Sequence, residues 1–591
     1  MAATLDSQYQ HFVPQFLLKN FSHQYKRGGR RRGKRNDNEP FYGQVVVRNL
    51  DLSLTPPGIC EKSISRILGQ INMYKDTAAQ SDQQQRLEAK LSSFESRAST
   101  IFQRFTRAFA QKQDGVWLSR DERDLIRKFL FLLKYRGGKF YRRFCHETPK
   151  QYDADDRETM WEYMANKGFE RPLDVWLDNL EAIMELDMDP STDWLEQLRK
   201  RMYPEDAEWF YSHTEHYYMA ICTPSDPDDE FILTDNAYNV FEGPNLFVRG
   251  RDTGEVGGAT YTPLHEFAPI SPKLIIILRN RIFPLPGESE DELTWMNREL
   301  RRLCVLGPRH KDVLASSLLV DLPVRVAENN YTRDSYDSGH WEKKKEHNFF
   351  FRFFSIDSMH VNTVNAILLD NCYHCTSIVF ESQANFARTL EWYLTAQCTV
   401  GKVILGTDTD VRWETLKKLE AVSHSLGSRK ETVWERPECP EVPSYEAFRR
   451  NVYKRRQNLS RILSGEQHVL ESPFFGGTSS PLPDPLRSYE NLGGSWETVG
   501  TDLNQTLRMW ALRVMIDTWS KGADESIRHR NRLLLTEAYL RLPPRRVLFF
   551  VKISRFEIMC HDAGIESESD FIYGKHQDPF YGPEDTIAEG K

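Results

Sequence analysis

One apolar stretch near the start of the chain, His11–Phe21, most constrains how it can fold. Its sequence is His-Phe-Val-Pro-Gln-Phe-Leu-Leu-Lys-Asn-Phe, and six of its eleven residues are aliphatic or aromatic. Removing such side chains from water is favourable, so we expect the stretch to be buried against the rest of the fold. His11, Pro14 and Asn20 are its three residues of special character.

Length and composition favour a compact protein of roughly three to five domains, or of fewer domains with insertions. The chain has 591 residues, of which 40% are hydrophobic. That is too long for one ordinary core, since domains average about 100–200 residues. The net charge of −7 gives no overall basic field for nucleic acid.

Cysteine usage and the pattern of apolar residues bear on the compartment. The nine cysteines are sparse and form no spacing framework, which fits a reducing environment better than a disulfide scaffold. The first ten residues lack the basic and apolar regions of a signal peptide. The longest aliphatic runs, such as 274–278, have the length of a strand, whereas a spanning helix needs about 20 apolar residues. We therefore expect a soluble, intracellular protein, cytoplasmic or nuclear, with no membrane span.

A basic run follows the opening stretch, at 26–35. Seven of its ten residues are Lys or Arg and the other three are glycine. It fits a nuclear-import signal or a phosphate-contacting patch, and equally a solvated insertion, because a glycine-rich run of like charges repels itself. Any contact with nucleic acid is expected only through this run; other partners are unknown.

Two helices are clearly predicted in the first quarter of the chain. Apolar residues recur at steps of three and four between Leu87 and Phe109, which is one face of a helix. Ser119 and Glu122 form a capping box that starts the second helix. The second helix ends before Gly137, which places Arg136 at its C-terminus. Packed as a hairpin, the two helices would bring Arg136 towards the carboxylates of the first.

The overall pattern predicts an α+β fold, with a mostly helical N-terminal half, a central mixed sheet with flanking helices, and a helical C-terminal extension. Alternating and β-branched segments predict strands, and Pro224–Asp229 is expected to be the turn between two of them, at 217–222 and 230–234. We assign 1–410 to an α+β core with insertions at 26–40 and 284–345. Residues 411–591 form the extension, with a linker rich in Gly, Ser and Pro at about 465–500.

Together these segments resemble one family, known only as domain of unknown function 4238, over roughly residues 8–400. The opening motif matches at His11, Val13, Pro14, Phe16, Leu18, Asn20 and Phe21. It is followed in the family's order by the Val45–Val47 strand, the Leu87-Glu88 and Phe94-Glu95 pairs, Arg136, Thr234-Asp235-Asn236, Pro269-x-Ser-Pro272, and Asn362 with Asn365.

The resemblance brings no activity with it, but it implies which residues to watch. His11, Glu88, Glu95 and Asp235 are the candidate catalytic residues. Asn20, Arg136 and Asn236 are the candidate substrate-binding residues. Clustered in a pocket, such side chains could bind a metal and a phosphate, or perform acid–base chemistry with the histidine as proton carrier. The alternative is a buried polar network in which Arg136 pairs with Glu88 or Glu95.

Three further motifs are better explained by structure than by chemistry. Cys372-x-x-Cys375 supplies two zinc ligands at most, and it precedes a strand rather than a helix. His213-x-x-His216 lacks the spacing of zinc proteases, and Gly406–Asp410 is more typical of a loop that caps a helix. The sequence therefore indicates no particular cofactor or metal. Its function is unknown, with a candidate polar site near His11 and, as the alternative, a metal- or His-dependent hydrolase or nuclease that acts on a phosphate-containing substrate.

Overall fold

A computed structural model gives the fold of the chain. It describes residues 9–442 apart from these internal gaps: 27–39, 75–85, 155, 189–192, 243–244, 252–255, 262–263, 286–287, 291–309 (where only 298 and 302 are described), 330–343, 397–410 (where only 402 and 404 are described) and 437–440. The predicted linker at 465–500, the helical extension beyond residue 442 and the Gly406–Asp410 loop lie outside the described residues.

Contacts divide the chain into two units. The first comprises 1–285 and 316–443, and the second comprises 286–315 and 444–591. The described part of the second unit includes a short helix at His310–Ala315. Everything below concerns the first unit.

The described elements confirm a mixed α and β architecture. In chain order the strands are β1 (Tyr9–His11), β2 (Ser22–Gln24), β3 (Val45–Asp51), β4 (Gly58–Ser63), β5 (Gly69–Ile71), β6 (Gly115–Ser119), β7 (Tyr217–Pro224), β8 (Leu233–Thr234), β9 (Phe241–Glu242), β10 (Asn245–Gly250), β11 (Val256–Tyr261), β12 (His265–Ser271), β13 (Leu274–Asn280), β14 (Glu328–Asn329), β15 (Asn348–Ile356), β16 (Ser377–Phe380) and β17 (Glu441–Val442).

The described helices of the first unit begin with one very short segment, which two long ones follow. All of these helices are named here in chain order. They are α1 (Gln15–Leu18), α2 (Arg86–Ala110), α3 (Arg120–Tyr135), α4 (Gly138–Phe144), α5 (Arg157–Lys167), α6 (Pro172–Glu185), α7 (Trp194–Arg201), α8 (Pro204–Glu215), α9 (Ser358–Asp370), α10 (Gln383–Thr395) and α11 (Val411–Ser425). Among the described residues, no helix combines the length and the apolar character needed to cross a bilayer.

Two sheets carry most of the pairing. In the larger one the order is β14-β15-β7-β13-β12-β9, with β6 also paired to β15. In the other the order is β2-β3-β16-β8, with β4 paired to β3. β13 is buried along its whole length, as expected for a central strand covered on both faces.

The turn predicted at 224–229 is present, but the strands before and after it belong to different sheets. β7 pairs with β13 in the larger sheet, whereas β8 pairs with β16 in the other sheet. The segment 224–229 is therefore a crossing between sheets rather than a hairpin turn. Local alternation predicted the strands but carried no information on their partners.

α3 lies at the centre of the N-terminal part. Its capping box at Ser119 and Glu122 is formed as predicted. It packs against α2, α6 and α8, which explains why most of its length is buried. A strand that the sequence pattern did not indicate, β6, connects α2 to α3 and pairs with β15. The predicted packing of the two helices is confirmed, with β6 as the segment between them.

Candidate functional site

His11 lies on a two-stranded ribbon formed by β1 and β5. It pairs with Gly69, where an added Cβ would lie 2.4 Å from the Gln10 carbonyl oxygen, so only glycine fits. The opening stretch then turns into the core, where Val13, Leu17 and Leu18 are buried as predicted. The ribbon thus holds the His11 ring at the edge of the core, half-buried.

The hydrogen bond of His11 fixes which ring nitrogen carries the proton. Its Nε2 lies 3.0 Å from the Ile64 carbonyl oxygen. A carbonyl only accepts, so Nε2–H donates and Nδ1 keeps its lone pair in the neutral ring. Burial, the main cause, lowers the pKa of His11, opposed by the Ile64 carbonyl and by Glu95. The neutral form, the one that takes up a proton at Nδ1, is therefore favoured.

Arg136 ends α3 and meets α2, as the sequence predicted. Its Nη1 lies 2.5 Å from Glu95 Oε1, and its side chain is only 1% exposed while that of Glu95 is 26% exposed. Burial lowers the pKa of Arg136, but attraction to Glu95, Tyr74 and Glu88 outweighs it, so the net shift is upward. Arg136 is therefore a permanent buried cation with one direct ionic partner.

Arg136 and Glu88 leave polar atoms without partners. The Nε and Nη2 of Arg136 and the Oε2 of Glu88 are buried and have no hydrogen-bond partner among the described residues. Glu88 interacts electrostatically with both Arg136 and Glu95. Burial, helped by repulsion from Glu95, raises the pKa of Glu88, which favours its neutral, proton-donating form.

Tyr74 is a member of this group that the sequence did not indicate. Its hydroxyl donates to the His11 carbonyl oxygen at 3.4 Å, and its ring stacks on Trp176 with centroids 5.9 Å apart. Burial, helped by Glu95 and Glu88, raises the pKa of Tyr74, while the charge of Arg136 and a side-chain hydrogen bond from it oppose the rise. No periodicity or motif around residue 74 marks it. We call His11, Tyr74, Glu88, Glu95 and Arg136 the Arg136 cluster.

The remaining candidate residues make contacts of a different kind. Asn20 donates from Nδ2 to the Ile270 carbonyl oxygen at 2.8 Å, which fastens the opening stretch to β12. Asp235 accepts at Oδ2 from the Thr376 backbone N–H at 2.8 Å and from its hydroxyl at 2.9 Å. Asn236 is buried beside it. The named partners of Asn20 and Asp235 thus lie outside the Arg136 cluster.

The Cys-x-x-Cys and His-x-x-His motifs, which the sequence analysis interpreted as structural, have buried surroundings. Burial raises the pKa of both thiols, Cys372 and Cys375, and a protonated thiol is a poor nucleophile. His213 is fully buried beside Lys134 and Glu266. Among the described residues, no three His, Cys, Asp or Glu side chains converge in a way that would hold a metal ion.

Comparison with known proteins gives a family and no activity. No curated protein and no solved structure matches the chain. One family model, described as "Protein of unknown function (DUF4238)", matches residues 9–384, which is more than half of the chain. That span contains the opening motif and all five members of the Arg136 cluster, and the chain belongs to the DUF4238 family.

Proposed function

We propose that the Arg136 cluster is a site for a phosphate-containing ligand and that the protein is a His-dependent phosphoester hydrolase. One observation carries the proposal. Two buried N–H groups of Arg136 and one buried oxygen of Glu88 have no partner among the described residues. Buried polar groups in folded proteins are nearly always hydrogen-bonded, and each unmade bond costs about 1–3 kcal/mol. A bound anion that also accepts a proton from Glu88 would satisfy all three atoms.

The chemistry of each side chain suits this reaction. Arg136 is a permanent cation whose planar donors match two oxygens of a phosphoryl group. The neutral His11 ring takes a proton from the attacking water at Nδ1. Neutral Glu88 gives its proton to the leaving oxygen as the P–O bond breaks. One water is consumed, a new P–O bond forms, and the two side chains end with one proton exchanged between them, which solvent restores.

The described residues fit a His-dependent reaction better than a metal-dependent one. A metal-dependent hydrolase holds its ion with about three protein ligands, and the described residues offer no such group. Acid–base catalysis by a positioned pair needs only proton-transfer reach and opposite protonation states. The pKa shifts of His11 and Glu88 favour that division of roles.

The second candidate is a purely structural polar network. The ion pair between Arg136 and Glu95 favours it, because that contact joins α2 to α3 in the core. It does not account for Glu88. A carboxyl group that served only the packing would be expected to share the donors of Arg136, whereas its Oε2 has no hydrogen bond among the described residues.

The test is hydrolysis by the purified full chain of p-nitrophenyl phosphate and bis(p-nitrophenyl) phosphate. We expect His11→Gln and Glu88→Gln each to lower kcat by about 100-fold or more, the usual contribution of a general acid or base. His23 and Glu61 form the matched control, since they are a His–Glu pair on β2 and β4, 2.6 Å apart. His23→Gln and Glu61→Gln should leave the rate unchanged.

Two results would contradict the proposal. One is wild-type protein that hydrolyses neither substrate. The other is a rate that falls equally in His11→Gln and in His23→Gln. Circular dichroism of every variant separates loss of activity from loss of folding.

A further inference from the structure

A second surface of the same unit has the composition of a binding site. β15 alternates over residues 349–352, where Phe349 and Phe351 are buried while Phe350 is partly buried and Arg352 is exposed; Phe354 is partly buried and packs against the core. On the paired strand β6, Trp117 lies opposite Phe350. Its side chain is 50% exposed, and the two ring centroids are 5.2 Å apart. We call Trp117, Phe350, Arg352 and Phe354 the aromatic face.

The backbone beside the aromatic face is kept clear by a glycine. Gly115 lies opposite Arg352. A Cβ at Gly115 would lie 2.8 Å from Phe350 Cζ and 2.3 Å from the Phe351 carbonyl oxygen. Any other residue there would therefore displace the Phe350 ring or the strand itself. The arrangement of rings depends on this close approach.

Two clefts adjoin the aromatic face and share Arg352 as a lining residue. One, of about 530 Å³, lies between the face and the segment 323–328, which contributes Arg325. The other, of about 580 Å³, lies at the end of α2 and is lined by Lys112 and Phe353. Both volumes are in the range of small-molecule sites, about 300–1,000 Å³.

The charges around the clefts favour an anionic ligand. The exposed cations are Lys112, Arg325 and Arg352, against the carboxylates Asp114 and Glu328. The contact of Arg352 with Glu328 is 3.5 Å long, and both side chains are at least half exposed. It therefore neutralises the guanidinium only weakly. A half-exposed Trp117 beside a partly buried Phe350, together with these cations, offers what the bases and phosphates of a single strand require.

We propose that the aromatic face binds single-stranded nucleic acid, with bases stacked on Trp117 and Phe350 and the backbone phosphates held by Arg352, Arg325 and Lys112. The site does not depend on the Arg136 cluster, and it differs from the basic run at 26–35.

The test uses fluorescence anisotropy of a fluorescein-labelled (dT)20 oligonucleotide with the full chain. Because the basic run would bind the same probe, every protein in the series first carries glutamine at its seven Lys and Arg positions. We expect Trp117→Ala to weaken binding by about fivefold or more, the effect of losing one stacked base. Arg352→Gln should make the salt dependence shallower, by about 0.7 in the slope of log K against log salt concentration.

Matched controls lie elsewhere on the first unit. Trp161 on α5 is 39% exposed, and Arg66 is an exposed arginine distant in sequence from β15. Trp161→Ala and Arg66→Gln should leave both the affinity and the salt slope unchanged. Urea unfolding of each variant confirms that it remains folded under the binding conditions.

Three outcomes would overturn the proposal. The first is that the starting protein fails to bind (dT)20 at 50 mM salt. The second is equal affinity in Trp117→Ala and Trp161→Ala. The third, seen by sedimentation, is that Trp117→Ala converts a dimer to a monomer while the affinity for (dT)20 stays the same, which would make the face an interface between two copies of the chain.

Discussion

Two buried cations, only two residues apart at the end of α3, have very different surroundings. Lys134 donates to Glu266, with Nζ 2.6 Å from Oε1, and His213 Nδ1 lies 2.9 Å from the other carboxylate oxygen. The second ring nitrogen of His213 lies 3.3 Å from the Arg127 carbonyl oxygen. We call these three residues the Lys134 network. Each of its polar side-chain atoms lies within 3.3 Å of another polar group, whereas the Arg136 cluster has three buried atoms with no hydrogen-bond partner among the described residues.

The two groups differ in how completely the same residue types are paired. Both groups combine a cation, glutamate and histidine, so composition alone does not distinguish them. The Lys134 network is sealed and joins α3, α8 and β12, which is a structural role. The Arg136 cluster is half-open at His11 and Glu88 and incompletely paired among the described residues, which supports the proposed ligand site without testing it.

The largest effect is expected from breaking the Lys134 network at its carboxylate. Glu266→Gln leaves Lys134 buried without its counter-ion, and removing one partner of a buried pair costs about 3–5 kcal/mol. Glu88→Gln removes a carboxylate with no hydrogen bond at Oε2 and should change the free energy of unfolding by less than about 1 kcal/mol. Urea unfolding at pH 7 measures both. Equal losses would mean that the two groups are energetically alike.

A smaller contrast is expected between the two histidines. His213→Gln leaves an oxygen of Glu266 without its partner and should cost about 1–3 kcal/mol. His11→Gln exchanges one hydrogen bond to the Ile64 carbonyl for another and should cost about 1 kcal/mol or less. Thermal unfolding of both variants decides the order. A larger loss in His11→Gln would place His11 among the structural residues.

The smallest effect is a difference in the sign of the pH dependence. Lys134 and His213 outweigh the cost of burial and lower the pKa of Glu266 to about 2. Its stabilising contribution is therefore present above pH 4.5 and lost as the pH falls towards 2. The pKa of Glu88 is raised in the folded protein. The stability of the wild type should therefore fall as the pH rises from 4.5 through this raised pKa.

Comparing Glu88→Gln with wild type between pH 4 and pH 7 measures that sign. Glutamine resembles the neutral carboxyl, so the variant should gain stability relative to wild type as the pH rises. A difference that stays constant with pH, or that changes in the other direction, would contradict the raised pKa of Glu88.

Much of the frame around the Arg136 cluster was predictable from the sequence, because it depends on local signals. The apolar stripe from Leu87 to Phe109 located α2, and the capping box at Ser119 located the start of α3. The glycines after Arg136 placed that residue at the helix end. From those positions we expected Arg136 to approach the carboxylates of α2, with Glu88 and Glu95 as alternative partners.

What the sequence did not predict depends on long-range pairing. Tyr74 reaches the cluster because β5 pairs with β1, and no local periodicity encodes that partner. Likewise, β6 was missed between the two helices, and its pairing with β15 creates the aromatic face. His213 was recognised only as half of a His-x-x-His pair, since Lys134 and Glu266 approach it from distant segments.

Phosphate-dependent stability is the most direct test of the proposed binding of an anion by Arg136. The free energy of unfolding of the full chain is measured in increasing inorganic phosphate, against potassium chloride of matched ionic strength. A ligand that binds only the folded state raises that free energy by RT ln(1 + [L]/Kd). We predict a rise in the wild type that is lost in Arg136→Lys, which keeps the charge but not the planar fork of donors, and that persists in His23→Gln. No rise in the wild type, or the same rise in Arg136→Lys, would contradict the account.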